Sequence, residues 1–448
     1  MTEEESKVIN FGCRLNLYES EAIKTIINKK SNKNKDNFVI FNSCAVTANA
    51  EKQLAQSIRK ISKENPDKKL IVTGCAAQIN PAKYAKMPEI YRVIGNNDKF
   101  DESSYFDKDL SENNHGKKSI ASSNHADKLF FAENKDFFNS DLEEKIKVND
   151  IMSVKETSSH MISGFENNSR AFVQIQNGCN HRCTFCIIPY GRGNSRSVAF
   201  GDIVTQIKKL VEAGYNEVVL TGVDISDYGK DLIEGLTFSN MVRRLLKLVP
   251  ELPRLRISSI DVAEIDNDFI DLMATEERLM PYLHISLQSG DDLILKRMKR
   301  RHNRQQVLDF CQKLREVRPE VTFGSDIIAG FPTESEESFN NSLNLIKEAG
   351  IIFNHIFPYS PRSGTPAAKM PQISSKIKKA RAKKLREAGE GELQKFLKSQ
   401  ISTRQKIIIE NNNIGRCENF VSVKLPKDSS NYNIGDIIEV EIIDYSQD

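Results

Sequence analysis

This 448-residue chain lacks the marks of a membrane or secreted protein. No apolar run is long enough to span a bilayer. The opening Met1-Thr-Glu-Glu-Glu-Ser is acidic and polar with no apolar stretch behind it, so no secretory signal is expected. Both absences lead to the expectation of a cytoplasmic protein. Net charge is nearly absent too: 64 Lys and Arg against 61 Asp and Glu leave +3, so any contact with nucleic acid must come from local patches. Hydrophobic residues at 39% and charged residues at 28% are those of a soluble globular protein. The length suits two or three domains.

Six of the eight cysteines fall into two sets. One is the triplet Cys179-Asn-His-Arg-Cys183-Thr-Phe-Cys186. The other is Cys13, Cys44 and Cys75, two equal steps of 31 residues. In a reducing compartment such sets read as metal or catalytic sites before disulfides. A closed zinc site wants four ligands, usually in two pairs, and no fourth cysteine follows the triplet nearby. His181 lies inside the loop and reads as a solvated loop residue, with ligation as the alternative. Three thiolates can instead hold a 4Fe-4S cluster and leave one iron open.

The first hundred residues repeat one phrase. Lys7-Val-Ile-Asn-Phe-Gly-Cys13, Phe38-Val-Ile-Phe-Asn-Ser-Cys44 and Leu70-Ile-Val-Thr-Gly-Cys75 are each a short apolar run closing on cysteine. Helical stretches at Ser20–Asn28 and Asn49–Ser62 lie between them, and Tyr91-Arg-Val-Ile-Gly-Asn-Asn97 is a fourth run without cysteine. Strands alternating with helices predict a parallel sheet. Ligands then bind off the carboxyl ends of the strands, where all three cysteines fall. Buried free thiols are the competing reading.

The sequence divides into an α/β domain at 1–100, a linker or insertion at 101–165, a partial (β/α)6 barrel at 166–372, a basic helical connector at 373–399 and a small antiparallel β-barrel at 400–448. The linker is polar, with one candidate docked segment at Phe130-Phe131 and Phe137-Phe138. Barrel strands are expected at Ala171–Gln176, Glu217–Gly222, Leu255–Ile260, Leu283–Gln288, Thr322–Ile328 and Phe353–Pro358. Six strand–helix units fall short of a closed eight-stranded barrel, and the triplet follows the first strand at the carboxyl edge. From Ile377 to Lys406 ten Lys and Arg stand against three Glu, an excess that phosphate contact or a solvated helix face explains. Cys311 and Cys417 read as ordinary small side chains.

Residues Val173 to Val198, with their C-x3-C-x2-C triplet, resemble the radical S-adenosylmethionine superfamily and, more narrowly, its methylthiotransferases. Gly12-Cys13-Arg-Leu-Asn-Leu-Tyr-Glu-Ser-Glu21, Asn42-Ser-Cys44-Ala-Val-Thr47 and Thr73-Gly-Cys75-Ala-Ala-Gln78 match the three N-terminal blocks of that family. The resemblance covers nearly the whole chain apart from the linker. It implies two 4Fe-4S clusters, with Cys179, Cys183 and Cys186 holding the one that meets S-adenosylmethionine. Cys13, Cys44 and Cys75 would hold an auxiliary cluster that delivers sulfur. It further implies Phe185 beside the adenine of the cofactor, with Gly222, Asp224 and Gln288 on the rest of it. For these positions ordinary packing and strand-end turns are the alternative. His284–Gln288 and Asp326–Pro332 match later strands of the family.

The family acts on adenosine beside the anticodon, bearing an isopentenyl or a threonylcarbamoyl group, or on an aspartate of a ribosomal protein. Ile187–Gly193, Leu283–Gly290 with Arg297–His302, and Gly415–Val421 look most like the threonylcarbamoyl branch. Methylthiolation of C2 of N6-threonylcarbamoyladenosine at position 37 of tRNA is therefore expected. The tRNA anticodon loop, an electron donor such as flavodoxin or ferredoxin, and a sulfur source are the implied partners. Arg192 and Arg196 would meet a carboxylate or phosphate, or lie solvated. The tail is shorter than the family's RNA-holding domain usually is. A rival of another class is a non-catalytic metal-containing RNA-binding protein.

Overall fold

The computed structural model describes residues 6–31, 37–106, 144–157, 161–162, 164–165, 168–233, 235–411, 413–426 and 431–446. The Phe130-Phe131 and Phe137-Phe138 segment lies outside them. Two compact units divide the chain. The first holds Met1–Lys155 together with Cys186–Asn194 and Arg362–Gly364; the second holds the rest.

In the first unit β1 (Lys7–Asn10), β2 (Phe38–Ser43), β3 (Lys69–Gly74), β4 (Ile90–Ile94) and β5 (Ile146–Lys147) form one sheet in that order. Every pairing is parallel. The apolar run of β2 is buried along its whole length, as a strand covered on both faces must be. Val39 and Phe41 pack on one side with Leu54 and Ile58, while Phe38 and Ile40 pack on the other with Ile23 and Ile27. Period-two alternation thus feeds two cores. The helix Ala48–Glu64 is capped by Thr47, whose hydroxyl accepts from Ala50 N. Strand β5 differs from the sequence reading, which placed it in a linker. It is two residues long, too short for a periodicity to show.

In the second unit β6 (Ala171–Gln174) is followed by the antiparallel pair β7 (Gln176–Asn177) and β8 (Arg196–Ser197). Then come β9 (Glu217–Thr221), β10 (Arg254–Ile257), β11 (Ser259–Ile260), β12 (Tyr282–Gln288), β13 (Thr322–Ala329) and β14 (Ile351–Pro358). β10 pairs with β9 and β9 with β6; β11 pairs with β12, β12 with β13 and β13 with β14, all parallel. A break at Ser258 separates β10 from β11 in one run of chain. The arc therefore has six strand positions, each near its expected place. Helices such as Phe200–Glu212 and Arg304–Val317 bury one face each, and Asn303 and Gln306 form a full capping box on the latter.

The chain ends in the helix Ser375–Ser399 and β15 (Arg404–Asn411), β16 (Ile414–Cys417), β17 (Ser422–Lys424) and β18 (Ile437–Glu441). These four form an antiparallel sheet in the order β17-β16-β15-β18. Its link to the barrel is specific. Phe420, at φ 76°, stacks on Tyr282 with ring centroids 4.3 Å apart and meets Phe353 edge-on. Arg256, fully buried, pairs with Glu217 at 2.7 Å and donates to the carbonyls of Cys417 and Glu418. Thr322 Oγ1 donates to Asn419 O at 2.7 Å. The basic helix spends part of its charge internally: Arg381 is buried against Glu334 and Glu336.

Candidate active site

The three early cysteines stand at the carboxyl ends of adjacent parallel strands. Cys44 directly follows β2, Cys75 directly follows β3 and Cys13 lies just past β1. Gly74 makes the close passage possible: at φ 94°, a Cβ there would come within 2.4 Å of Ser43 O. Cys75 is buried, Cys44 half-buried and Cys13 exposed, and all three are free thiols. Burial, then the neighbouring Cys75, pushes the Cys44 thiol up to about 11.

A continuous set of polar contacts joins the outer two cysteines. Cys13 Sγ lies 3.3 Å from Asn16 Oδ1, which accepts from Arg192 at 3.1 Å. Arg192 pairs with Glu19 at 2.7 Å, and Glu19 with Lys99 at 2.7 Å. Lys99 donates to Asn96 Oδ1 at 2.8 Å, and Asn96 Nδ2 points at Cys75 Sγ from 3.6 Å. Arg192, Glu19 and Lys99 are all buried. Burial alone would raise the Glu19 carboxyl, but Arg192 and Lys99 hold it down at about 2. Arg192 therefore already has its carboxylate, contributed by the protein. Of the two readings, a carboxylate or solvent, the structure gives Arg192 the carboxylate of Glu19, and Arg196 is likewise buried, in the β7–β8 pair.

The barrel's cysteine loop is organised by Gln176. Its Oε1 accepts from Val223 N and Asp224 N at 3.0 and 2.9 Å, and its Nε2 donates to Gly178 O and Ser195 Oγ. Gly222 has a local reason: a Cβ there would meet Gln176 O and Ile225 at 2.8 Å. Asp224 sits 3.8 Å from Cys179 Sγ and 2.8 Å from His181 Nε2. His181 is half-buried and not a free loop residue; Asp224, then Glu264, hold its proton and raise it to about 10. Phe185 packs with Phe331, Ile294, Met298 and Tyr359. Gln288 ends β12 at φ 69°.

Several residues of this site escaped the sequence reading. Asp261, directly after β11, accepts from Arg300 at 3.0 Å and lies 3.5 Å from His302 Nδ1. Arg300 also donates to Ser286 O at 2.8 Å and reaches Cys183 Sγ at 3.8 Å. Glu264 binds Arg301 at 2.8 Å and Lys230 at 2.5 Å. Thr184 N and Oγ1 tie the loop to Met298 O and Arg297 O. The one signal for Asp261 was its place after a strand end, the same signal that marked Asp224.

Comparison with known proteins draws these observations together. Residues 173–346 match the model of the radical SAM superfamily, and residues 5–95 match one described as uncharacterized protein family UPF0004. The threonylcarbamoyladenosine tRNA methylthiotransferase MtaB of Rickettsia prowazekii is 52% identical over 98% of this chain and 94% of its own length. The chain belongs to the radical S-adenosylmethionine methylthiotransferases. A protein of the same name from Aquifex aeolicus is 32% identical, covering 92% of this chain and 94% of its own. Among solved structures, the radical S-adenosylmethionine methyltransferase TsrM of Kitasatospora setae aligns with a TM-score of 0.53 at 12% identity, covering 82% of this chain and 75% of its own. That likeness concerns the fold alone.

Membership in the radical methylthiotransferases implies S-adenosylmethionine and a 4Fe-4S cluster, and the donor set fits. Cys179, Cys183 and Cys186 are free thiols within one loop, and Cys179 Sγ accepts from His181 N at 3.4 Å. With Arg300 near Cys183, N–H donors face two of the three sulfurs, as cluster thiolates favour.

Proposed function

We propose that this methylthiotransferase acts on C2 of N6-threonylcarbamoyladenosine at position 37 of tRNA, in the cytoplasm. The observation that carries the reading is the 52% identity to an enzyme of that name along nearly the full length of both chains. In this reading Cys179, Cys183 and Cys186 hold one 4Fe-4S cluster and Cys13, Cys44 and Cys75 a second. Bound there with S-adenosylmethionine, these groups supply radical chemistry at an unactivated C–H bond and the sulfur that replaces its hydrogen. The chain's own residues do the positioning. Asp224, an acceptor beside Cys179, would take the amino group of S-adenosylmethionine, and Gly222 keeps that strand end close to Gln176. Phe185 would form an apolar wall for the adenine. Arg192 and Lys99, less Glu19, leave one buried positive charge to offset three thiolates at the N-terminal set. An electron donor such as flavodoxin or ferredoxin and a sulfur source complete the reaction, and exposed cations of the helix Ser375–Ser399 meet the tRNA backbone. The test is mass spectrometry of nucleosides from tRNA of cells with and without this gene. Loss of the methylthio mark on threonylcarbamoyladenosine alone is expected. Loss on the isopentenyl nucleoside, or on a ribosomal-protein aspartate, would move the substrate and leave the radical chemistry standing.

A further inference from the structure

Three side chains of the second unit take no part in the cysteine-loop network yet form a polar row on one face of the barrel sheet. β12, β13 and β14 are neighbours, and the register sets His284 opposite Gly324 and Asp326 opposite His355. His284 Nε2 lies 3.2 Å and His355 Nδ1 3.3 Å from the same atom, Asp326 Oδ1. Tyr282 Oη lies 3.0 Å from His284 Nδ1, which fixes that ring. Gly324 leaves the room: a Cβ there would fall 2.4 Å from Tyr282 Oη and 2.7 Å from His284 Nδ1. The alternate residues Leu283, Ile285 and Phe323 are fully buried, and Phe323 packs on Phe310 of the helix Arg304–Val317. The row is therefore on the concave face, away from the helices.

Its place along the strands matters. Beneath it, Tyr282, Phe353 and Phe420 form a packed aromatic layer. Two residues above His284, Ser286 O holds Arg300, whose other arm reaches Cys183 Sγ. Two residues of strand place the row roughly 7 Å from that contact. His284 is buried, whereas the His355 side chain is 61% exposed. Packing alone asks for apolar residues in such a layer; an exposed imidazole braced by a half-buried carboxylate is a recognition group awaiting a partner.

We propose that the His284–Asp326–His355 row is the subsite for the threonylcarbamoyl arm of the substrate nucleoside, with His355 Nε2 on its carboxylate. This rests on the reading of threonylcarbamoyladenosine as substrate. An imidazole that donates from Nδ1 to Asp326 and from Nε2 to a ligand carboxylate bridges two anions by charge-assisted hydrogen bonds. Asp326 does not repel the newcomer unshielded, because His284 engages it from the other side. Burial would raise its carboxyl, but hydrogen bonds from His284 and His355 keep it well below the usual range. An isopentenyl group offers no acceptor, so Nε2 would keep only solvent there, and the charge-assisted hydrogen bond to the carboxylate would favour the acid alone.

The experiment uses holoenzyme and three anticodon stem-loop RNAs. One bears threonylcarbamoyladenosine, one its carboxamide analogue and one isopentenyladenosine. The wild type should prefer the acid over the carboxamide by about tenfold or more in KM. His355→Ala should raise KM for the acid by a similar factor, leave kcat within about twofold and abolish the acid–carboxamide preference. His355→Gln should recover part of it, and 5′-deoxyadenosine formed without RNA should not change. A wild type that uses the acid and the carboxamide equally, or a His355→Ala enzyme equally impaired on both, would overturn the subsite alone. So would one equivalent of a metal other than iron held by the wild type and lost in His355→Ala, since two His and one Asp are also a metal-ligand set. A wild type active only on the isopentenyl RNA would overturn both the subsite and the substrate reading.

Discussion

The two cysteine sites of this chain are built on opposite electrostatic plans. At the N-terminal set the charges are dry and mutually satisfied: Glu19, Arg192 and Lys99 are buried and paired with one another. At the barrel loop they are half-wet: His181, Arg301 and Lys230 keep solvent contact while sharing Asp224, Asp261 and Glu264. The first plan gives a fixed environment around its thiols. The second gives acceptors and donors that exchange protein or solvent partners for those of a ligand. Fixed surroundings for a bound group suit the first, and a site that exchanges its cofactor suits the second.

Removing one thiol from each plan separates them most sharply. Cys183→Ala should abolish 5′-deoxyadenosine formation. Cys44→Ala should leave that cleavage in place and stop sulfur insertion into RNA. If both variants lost cleavage with circular dichroism unchanged, the division of labour would be wrong. Next in size is Glu19→Ala, which leaves two buried cations without their acid. It should destabilise the iron-free protein by about 3–5 kcal/mol in urea unfolding, whereas Asp224→Ala, at a wetter position, should cost less.

Acid should expose the same contrast. Glu19 is depressed from 4.5 to about 2 in the folded protein. Its contribution is complete above the unfolded value and is lost as pH falls from about 4.5 through about 2, in total about 3 kcal/mol. Glu19→Gln should flatten that limb of a stability–pH curve. The smallest effect, because solvent partly screens the half-buried His181 where it does not reach Glu19, lies on the alkaline side and has the opposite sign. His181 is raised from 6.5 to about 10, so its contribution is complete below pH 6.5 and is lost as pH rises through about 10. His181→Ala should remove that decline; an unchanged curve would show that solvent screens the contact with Asp224.

Much of this was legible in the chain itself. The six barrel strands and the strand-then-cysteine repeats carry short-range signals, namely apolar runs and small residues at strand ends. Arg192 was left between an anion and solvent for a physical reason. Whether an arginine faces solvent or Glu19 depends on contacts made across 173 positions of sequence, and no local pattern encodes that. His181 looked like a loop histidine because Asp224 and Glu264, its two acids, arrive from other strand ends. The His284, Asp326 and His355 row shows the same limit, since parallel register alone sets the three side by side. Strand β5 was missed because two residues form no period.

The stacked ring of Phe420 has a consequence for how this chain can be divided and recombined. Residues 400–448 look like a detachable appendage, yet they supply the floor tile of the barrel. Cutting there would bare Tyr282 and Phe353 and would strip Arg256 of two of its carbonyl acceptors. A tail grafted from a relative must bring an aromatic side chain at that left-handed corner, or the recipient barrel must change to suit it. Barrel and tail share these contacts across the border at residue 400, so shuffling experiments should move the two together.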